Sequence, residues 1–165
     1  MLVSNSLKFS KKLLVSLLAA VLIASTLFSA GVSATSSSKS TKAPGGTLTS
    51  NFWIQTFASG NSGDYQVSAV YNGSASLKSP NYIKTAWSFY AQGINASVSI
   101  NGFGGSAGGG GVSSTSSGYW QNSNGAKTAW YRGNVVANGL WFYVGGSNTA
   151  SMFALGVPAS VTAGV

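Results

Sequence analysis

The sequence predicts an all-β fold, an antiparallel β-sandwich or small barrel, on three observations. After residue 34 no apolar stripe recurs at helical spacing. Short runs rich in aromatic and β-branched residues instead alternate with polar ones at a period of two. Turn signals built on Gly and Asn separate these runs at close intervals, so eight or more short strands are expected, and antiparallel layers are the architecture that accommodates them.

In order along the chain, residues 1–34 have the three parts of a secretory signal peptide. Lys8, Lys11 and Lys12 form a positive start, Leu13 to Phe28 an apolar run, and Val32-Ser33-Ala34 a small-residue cleavage site. Residues 35–46, rich in Ser, Thr and Lys and free of apolar periodicity, read as a disordered linker. Residues 47–165 then form a single β domain of ordinary size.

Within that domain Leu48 to Ala58 is a strand whose centre, Phe52-Trp53-Ile54, is apolar enough to be buried on both faces. Asn61-Ser62-Gly63-Asp64 is a turn. Tyr65, Val67, Ala69 and Tyr71 share one side of the next strand, and Asn72-Gly73 signals a hairpin into a short strand at 75–77. The most regular stretch runs from Lys84 to Phe103. Ile83, Thr85, Trp87, Phe89 and Ala91 fall on one face, and Ile94, Ala96, Val98 and Ile100 on one face of the following run. Gln92-Gly93 between them reads as a tight turn, leaving Lys84, Ser88, Ser97, Ser99 and Asn101 on the wet side of a hairpin. Gly102 to Gly118 reads as a mobile loop, because so many glycines are costly to order. Tyr119-Trp120-Gln121, Ala126 to Arg132 with Asn134 to Ala137, Leu140 to Val144, Ala150 to Val157 and Ser160 to Val165 are the remaining strand segments, with turns at Asn124-Gly125 and Asn138-Gly139. Lys84-Thr-Ala-Trp87 recurs as Lys127-Thr-Ala-Trp130, 43 positions on. A duplicated strand unit and a coincidence of biased composition both fit that recurrence.

Composition excludes most enzyme chemistry. The chain has one acidic residue, Asp64, and no Glu, His or Cys. It cannot assemble a carboxylate pair, a Ser-His-Asp or Cys-His system, or an adequate zinc site. A non-enzymatic protein is expected, with no catalytic residues, no metal and no cofactor. The absence of cysteine also rules out disulfides. With the three leader lysines removed, six cations face Asp64, a net charge of +5. That balance favours an anionic cell-envelope polymer or membrane surface as partner. The cations are too dispersed for a nucleic-acid footprint, so no nucleic acid is expected.

Aromatic residues supply the candidate binding site. Trp87 and Phe89 belong to the core by their phase, whereas Trp130 with Arg132, and Trp141 with Tyr143, lie opposite apolar neighbours, so one set of each pair faces outward. Lys127 and Trp120 lie close to these in sequence. The candidate binding residues are therefore Trp120, Lys127, Trp130, Arg132, Trp141 and Tyr143, suited to stacking on sugar rings or settling at a membrane interface. Residues 96–120 carry no charge and place alternating apolar and hydroxyl residues on either side of a glycine turn. In composition they resemble the membrane-inserting hairpins of secreted β-barrel pore-forming toxins, a resemblance that implies insertion into lipid; a surface loop is the alternative. The expected function is a secreted, extracellular, non-catalytic protein that binds cell envelopes or membranes, bacteriocin-like or toxin-like. Two alternatives stand beside it: a surface structural protein that self-associates into homo-oligomers through its sheet edges, and a carbohydrate-binding accessory protein.

Overall fold

The computed structural model describes residues 34–57, 60–74, 79–101 and 115–165. Among them are seven strands and no helix: β1 (Ala34–Ala43), β2 (Gly46–Gln55), β3 (Ser62–Gly73), β4 (Tyr82–Asn101), β5 (Thr115–Asn122), β6 (Thr128–Ala154) and β7 (Val157–Gly164). All pairings are antiparallel, in the order β1-β2-β3-β6-β4-β5, with β7 on β6. The all-β antiparallel class expected from the sequence is the one observed. The sheet is not closed, since β1, β5 and β7 each have one neighbour among the described residues.

Two long strands turn this single sheet into two layers. The first part of β6 pairs with β3 from Thr128 to Val136, and its last part pairs with β7 from Ser147 to Ala154. β4 behaves in the opposite sense: Ile83 to Tyr90 pairs with β5, and Ser97 to Asn101 pairs with the first part of β6. The β4–β6 ribbon therefore begins in one layer, bends, and ends in the other. The first layer holds β1, β2, β3 and the adjoining ends of β6 and β4. The second holds β5, the remainder of β4 and β6, and β7.

The expected hairpins at Gln92-Gly93 and Asn138-Gly139 are absent. Each lies inside a continuous strand at this bend, where the register shifts between Gln92 and Gly93 and again between Ile94 and Ser97. Each of these strands already has the other as partner. Positive φ at Asn95 (54°) and Gly139 (79°) thus bends the ribbon instead of closing it. The two strands also approach closely there. A Cβ on Gly139 would strike the Asn95 carbonyl, and one on Gly93 the Leu140 carbonyl, so both glycines are required by backbone proximity.

The linker expected at 35–46 is also absent: it is strand β1 and the turn that follows. Its polar side chains bury little, but all ten residues pair with β2, from Ala34 opposite Gln55 to Ala43 opposite Gly46. Ser38 donates to Asn51 Oδ1 at 2.8 Å, and Ser40 and Thr49 hydroxyls bond at 2.8 Å. Pro44-Gly45, with Gly45 at φ 66°, makes the turn. Backbone pairing and cross-strand hydroxyl bonds hold this segment, and neither leaves an apolar trace in the sequence. The β domain therefore starts at Ala34 rather than Thr47 among the described residues. The expected signal peptide, apart from Ala34, lies outside those residues, as do the short strand at 75–77 and most of the glycine loop.

Alternation places the core largely as expected. Tyr65, Val67, Ala69 and Tyr71 are buried, as are Ile83, Thr85, Trp87, Phe89 and Ala91. Trp87 stacks on Tyr131 from the opposite layer at 4.5 Å and 18°. Phe89 meets Tyr65 at 4.7 Å and Phe52 at 5.6 Å. This aromatic cluster lies toward the bend, and a second cluster of Leu48, Ala69, Tyr71, Ile83, Ala129, Ala150 and Met152 lies away from it. Between them sits buried Asn148. Its amide nitrogen donates to Ser50 Oγ at 3.0 Å and to the carbonyls of Asn51 (3.1 Å) and Ser68 (3.0 Å), while its Oδ1 accepts from Thr85 Oγ1 at 2.6 Å. The Ser50 hydroxyl donates in turn to the Asn148 carbonyl at 2.7 Å. This polar pin joins the two layers and fixes which strand lies over which.

Three further expectations change. Trp53 is 36% exposed, because strict alternation with buried Phe52 and Ile54 turns it outward. Ile94, expected inside, is 70% exposed at the bend, and Ser97, expected on the wet side, is buried, although Val98 is in the core and Ala96 and Ile100 pack against it as expected. Residues 96–101 and 115–120 do not pair with each other as a membrane hairpin would: the first run pairs with β6 and the second with the other half of β4, in different layers.

Candidate functional site

The outer face of the first layer is a flat platform built by alternation. Phe52 and Ile54 point inward on β2, Tyr65 and Val67 on β3, and Tyr131 on β6, so the residues between them point out. The register sets two rows across four strands. One row is Ser36, Trp53, Gln66 and Arg132, and the next is Ser38, Asn51, Ser68 and Trp130. Trp53 and Trp130 are 36% and 55% exposed and stand on strands either side of β3, with Cα positions roughly 12 Å apart from strand spacing and rise. Beside Trp53 runs a shallow groove of about 450 Å³ that includes Ser36, Ser38, Asn51, Gln66 and Ser68 in its lining. Asn51 is held there by accepting from Ser38 and donating to Ser68 Oγ at 3.0 Å. Its position presents an ordered amide between the two indoles.

Arg132 supplies positive charge at one end of the platform. Asp64, one register step along the same strands, accepts from Asn134 Nδ2 at 3.2 Å. The face as a whole combines two indole rings, two amides, hydroxyls and one guanidinium. Those groups suit stacking on a ring and hydrogen bonding around it, with Arg132 able to grip a carboxylate or phosphate through paired N–H donors.

The chain matches no protein-family model and no curated protein. Any functional reading therefore rests on the chemistry of its own surfaces.

The second layer has an outer trough of about 460 Å³ between Lys84 and Tyr119 at one end and Ser88, Ser117 and Ser147 at the other. Lys84 Nζ lies 4.3 Å from the centre of the Tyr119 ring, a cation–π contact that orients both side chains. Small residues such as Ala86, Ser147 and Thr149 form the floor. Tyr119 is the trough's exposed aromatic ring, since Trp87, which also lines it, is buried, so it offers less stacking surface than the platform.

The six candidate residues from the sequence do not converge on one place. Trp130 and Arg132 share the platform. Lys127 lies just before β6, its Nζ 3.4 Å from the Gly73 carbonyl that accepts from it. Trp120 stands on edge strand β5 in register with buried Thr85, on the core-directed side, and is 37% exposed. Trp141 and Tyr143 are in the bent ribbon. Trp141 packs edge-on against Phe57 at 5.2 Å, and Tyr143 lies 5.9 Å from Tyr90. Trp53 and Gln66 join Trp130 and Arg132 although sequence reasoning left them out. Period-two alternation through Phe52-Trp53-Ile54 carried the signal for Trp53, but the apolar character of all three residues masked it.

The titrating phenols are tuned away from neutrality. Burial, with a smaller contribution from the neighbouring Tyr131, raises Tyr65 far above the ordinary phenol range. Burial raises Tyr131 as well, and the hydroxyl of Tyr90 followed by partial burial raises Tyr143. Such groups stay protonated under physiological conditions and do not serve as general bases. Among the described residues no three His, Cys, Asp or Glu side chains gather to hold a metal.

Proposed function

We propose that this is a secreted, non-catalytic protein that binds an anionic polymer of the cell envelope through the platform on β2, β3 and β6. The observation that carries the reading is the placement of two exposed indoles, Trp53 and Trp130, with Arg132 and the hydrogen-bonded Asn51 amide on one face of the sheet. Stacking would provide affinity for sugar rings, and the guanidinium would select polymers bearing phosphate or carboxylate. The composition supports it: with the leader removed, six cations against one acid attract polyanions, and the lack of His, Cys and Glu leaves few means of moving protons. Bacteriocin-like or toxin-like action is the form of this reading in which binding harms the cell that carries the polymer.

Co-sedimentation with isolated bacterial walls, before and after extraction of their phosphodiester polymers, tests it. The intact protein is expected to pellet with untreated walls and to remain in solution with extracted ones. Replacing both tryptophans, Trp53→Ala with Trp130→Ala, should lower affinity at least about tenfold, as truncating central aromatic anchors does. Arg132→Gln should reduce the dependence of binding on salt. Equal binding by the double variant would overturn the platform as the site.

Self-association is the second reading, favoured by the edge strand β5, which carries no charged residue; β7 carries none either, but it lies against β1. Strand β1 is less suited to it, because Lys39 and Lys42 lie on that edge. Concentration-dependent filaments in negative stain would support this reading over the first.

A further inference from the structure

The bent ribbon carries the three most exposed large apolar side chains among the described residues. Ile94, Leu140 and Phe142 are 70%, 73% and 76% exposed. Ile94 pairs with Leu140, and Phe142 is the extra residue of the adjoining bulge. Between Ala91 and Ser97 on β4, and between Asn138 and Val144 on β6, the two strands pair with each other alone among the described residues. The inner side of the ribbon is secured to the core through Trp141 and Val144. The outer side is apolar where a sheet corner is ordinarily polar.

From this arrangement we infer that the tip of the β4–β6 ribbon is an anchor for the interface of a phospholipid bilayer. Three properties select lipid over a protein partner. The stretches 85–126 and 133–165 contain no charged residue, so entry into the headgroup boundary would require no charge on either strand of the tip to be desolvated. Tyr90 and Tyr143 lie beside the tip with ring centres 5.9 Å apart, the residue type that settles at the level of the headgroups. Three side chains also fall well short of the roughly 800 Å² per partner that a stable protein interface takes, whereas a bilayer interface rewards each apolar side chain singly. Among the described residues no helix is long and apolar enough to cross a membrane, and the ribbon needs only to reach the acyl boundary. Among the described cations Lys42, Lys84 and Lys127 lie at strand ends away from the bend, Lys39 is within β1, and Arg132, the nearest on β6, stands eight residues before Leu140, so the tip itself carries no charge to engage anionic lipid.

The inference uses a different surface from the polymer-binding platform and stands or falls separately. Its test is flotation of the protein with vesicles of phosphatidylcholine alone and of phosphatidylcholine with phosphatidylglycerol, at low and high salt. Binding to both compositions is expected, with binding to phosphatidylcholine alone unchanged by salt. Leu140→Ser with Phe142→Ser should reduce it at least tenfold, while Trp53→Ala with Trp130→Ala should leave it unchanged. Since the chain has no cysteine, Ile94→Cys and Ser160→Cys each offer a single labelling site for an environment-sensitive fluorophore. Vesicles should raise emission several-fold at position 94 and leave it unaltered at position 160, where the unlabelled variant serves to confirm folding. Failure to float with either vesicle, floating by the serine variant as by the parent, or unaltered emission at position 94 would each overturn the inference. So would sedimentation equilibrium showing a dimer that the serine substitutions dissolve without any vesicle binding.

Discussion

Asn148 is the residue on which the relation between the layers turns. It supplies both amide hydrogens and its carbonyl oxygen to partners on β2, β3 and β4, and its surroundings are dry. Asn148→Ala would leave the Thr85 and Ser50 hydroxyls and two backbone carbonyls short of partners, so a loss of about 3 kcal/mol is expected from urea unfolding. Tyr65 presents the opposite case. Its hydroxyl and the Trp87 indole N–H are buried beside each other without a well-formed hydrogen bond. Tyr65→Phe removes an unsatisfied oxygen and keeps the ring, so stability should hold or rise by about 1 kcal/mol. Its titration gives a second readout. Because burial raises the folded-state pKa above that of the unfolded chain, the stabilisation is complete below the unfolded value of about 10 and is lost as pH rises beyond it. The urea midpoint should therefore hold from pH 8 to about pH 9.5 and fall above about pH 10, and fall less in the Phe variant, where Tyr131 and Tyr143 still contribute.

At the level of the strand, the bent ribbon shows what local sequence can and cannot determine. Gly139→Ala places a Cβ against the Asn95 carbonyl at a φ of 79°, and a loss of about 1–3 kcal/mol is expected in thermal or urea unfolding. A substitution at Gly156, with a similar φ of 78° but open space around its position, should cost less, which separates backbone strain from collision. Inward positions were legible because burial imposes a period of two: Tyr65 to Tyr71 and Ile83 to Ala91 follow it without interruption. The bend was not legible, because Gln92-Gly93 and Asn138-Gly139 have the composition of hairpin turns. Whether such a dipeptide reverses the chain or merely bends it depends on a partner strand some 45 residues away, here 93 opposite 141. Half of the platform was legible in the same way. Trp130 and Arg132 alternate with Ala129 and Tyr131, whereas linking them to Trp53 and Gln66 required the β2-β3-β6 register.

Across the whole molecule, the polar strand β1 is an integral part of the sheet. A chain beginning at Thr47 would lose ten paired residues and expose the β2 edge, so a lower urea midpoint and concentration-dependent aggregation by light scattering are expected relative to a chain beginning at Ala34. The recurring Lys-Thr-Ala-Trp also looks different at this scale. Its first copy turns Thr85 and Trp87 inward, and its second turns Ala129 inward and Trp130 outward. The copies are in opposite phase and do not occupy equivalent places in the fold, although their strands lie side by side.

Sharing two strands between layers also orders events during synthesis. When β3 emerges from the ribosome its outer edge has no neighbour, and that neighbour is the beginning of β6, more than fifty residues later. β4 appears earlier but likewise awaits β6 along its length. Neither layer can close before the final third of the polypeptide is available, so the nascent chain stays unfolded until late and refolding should proceed slowly as one concerted event, visible as a single exponential.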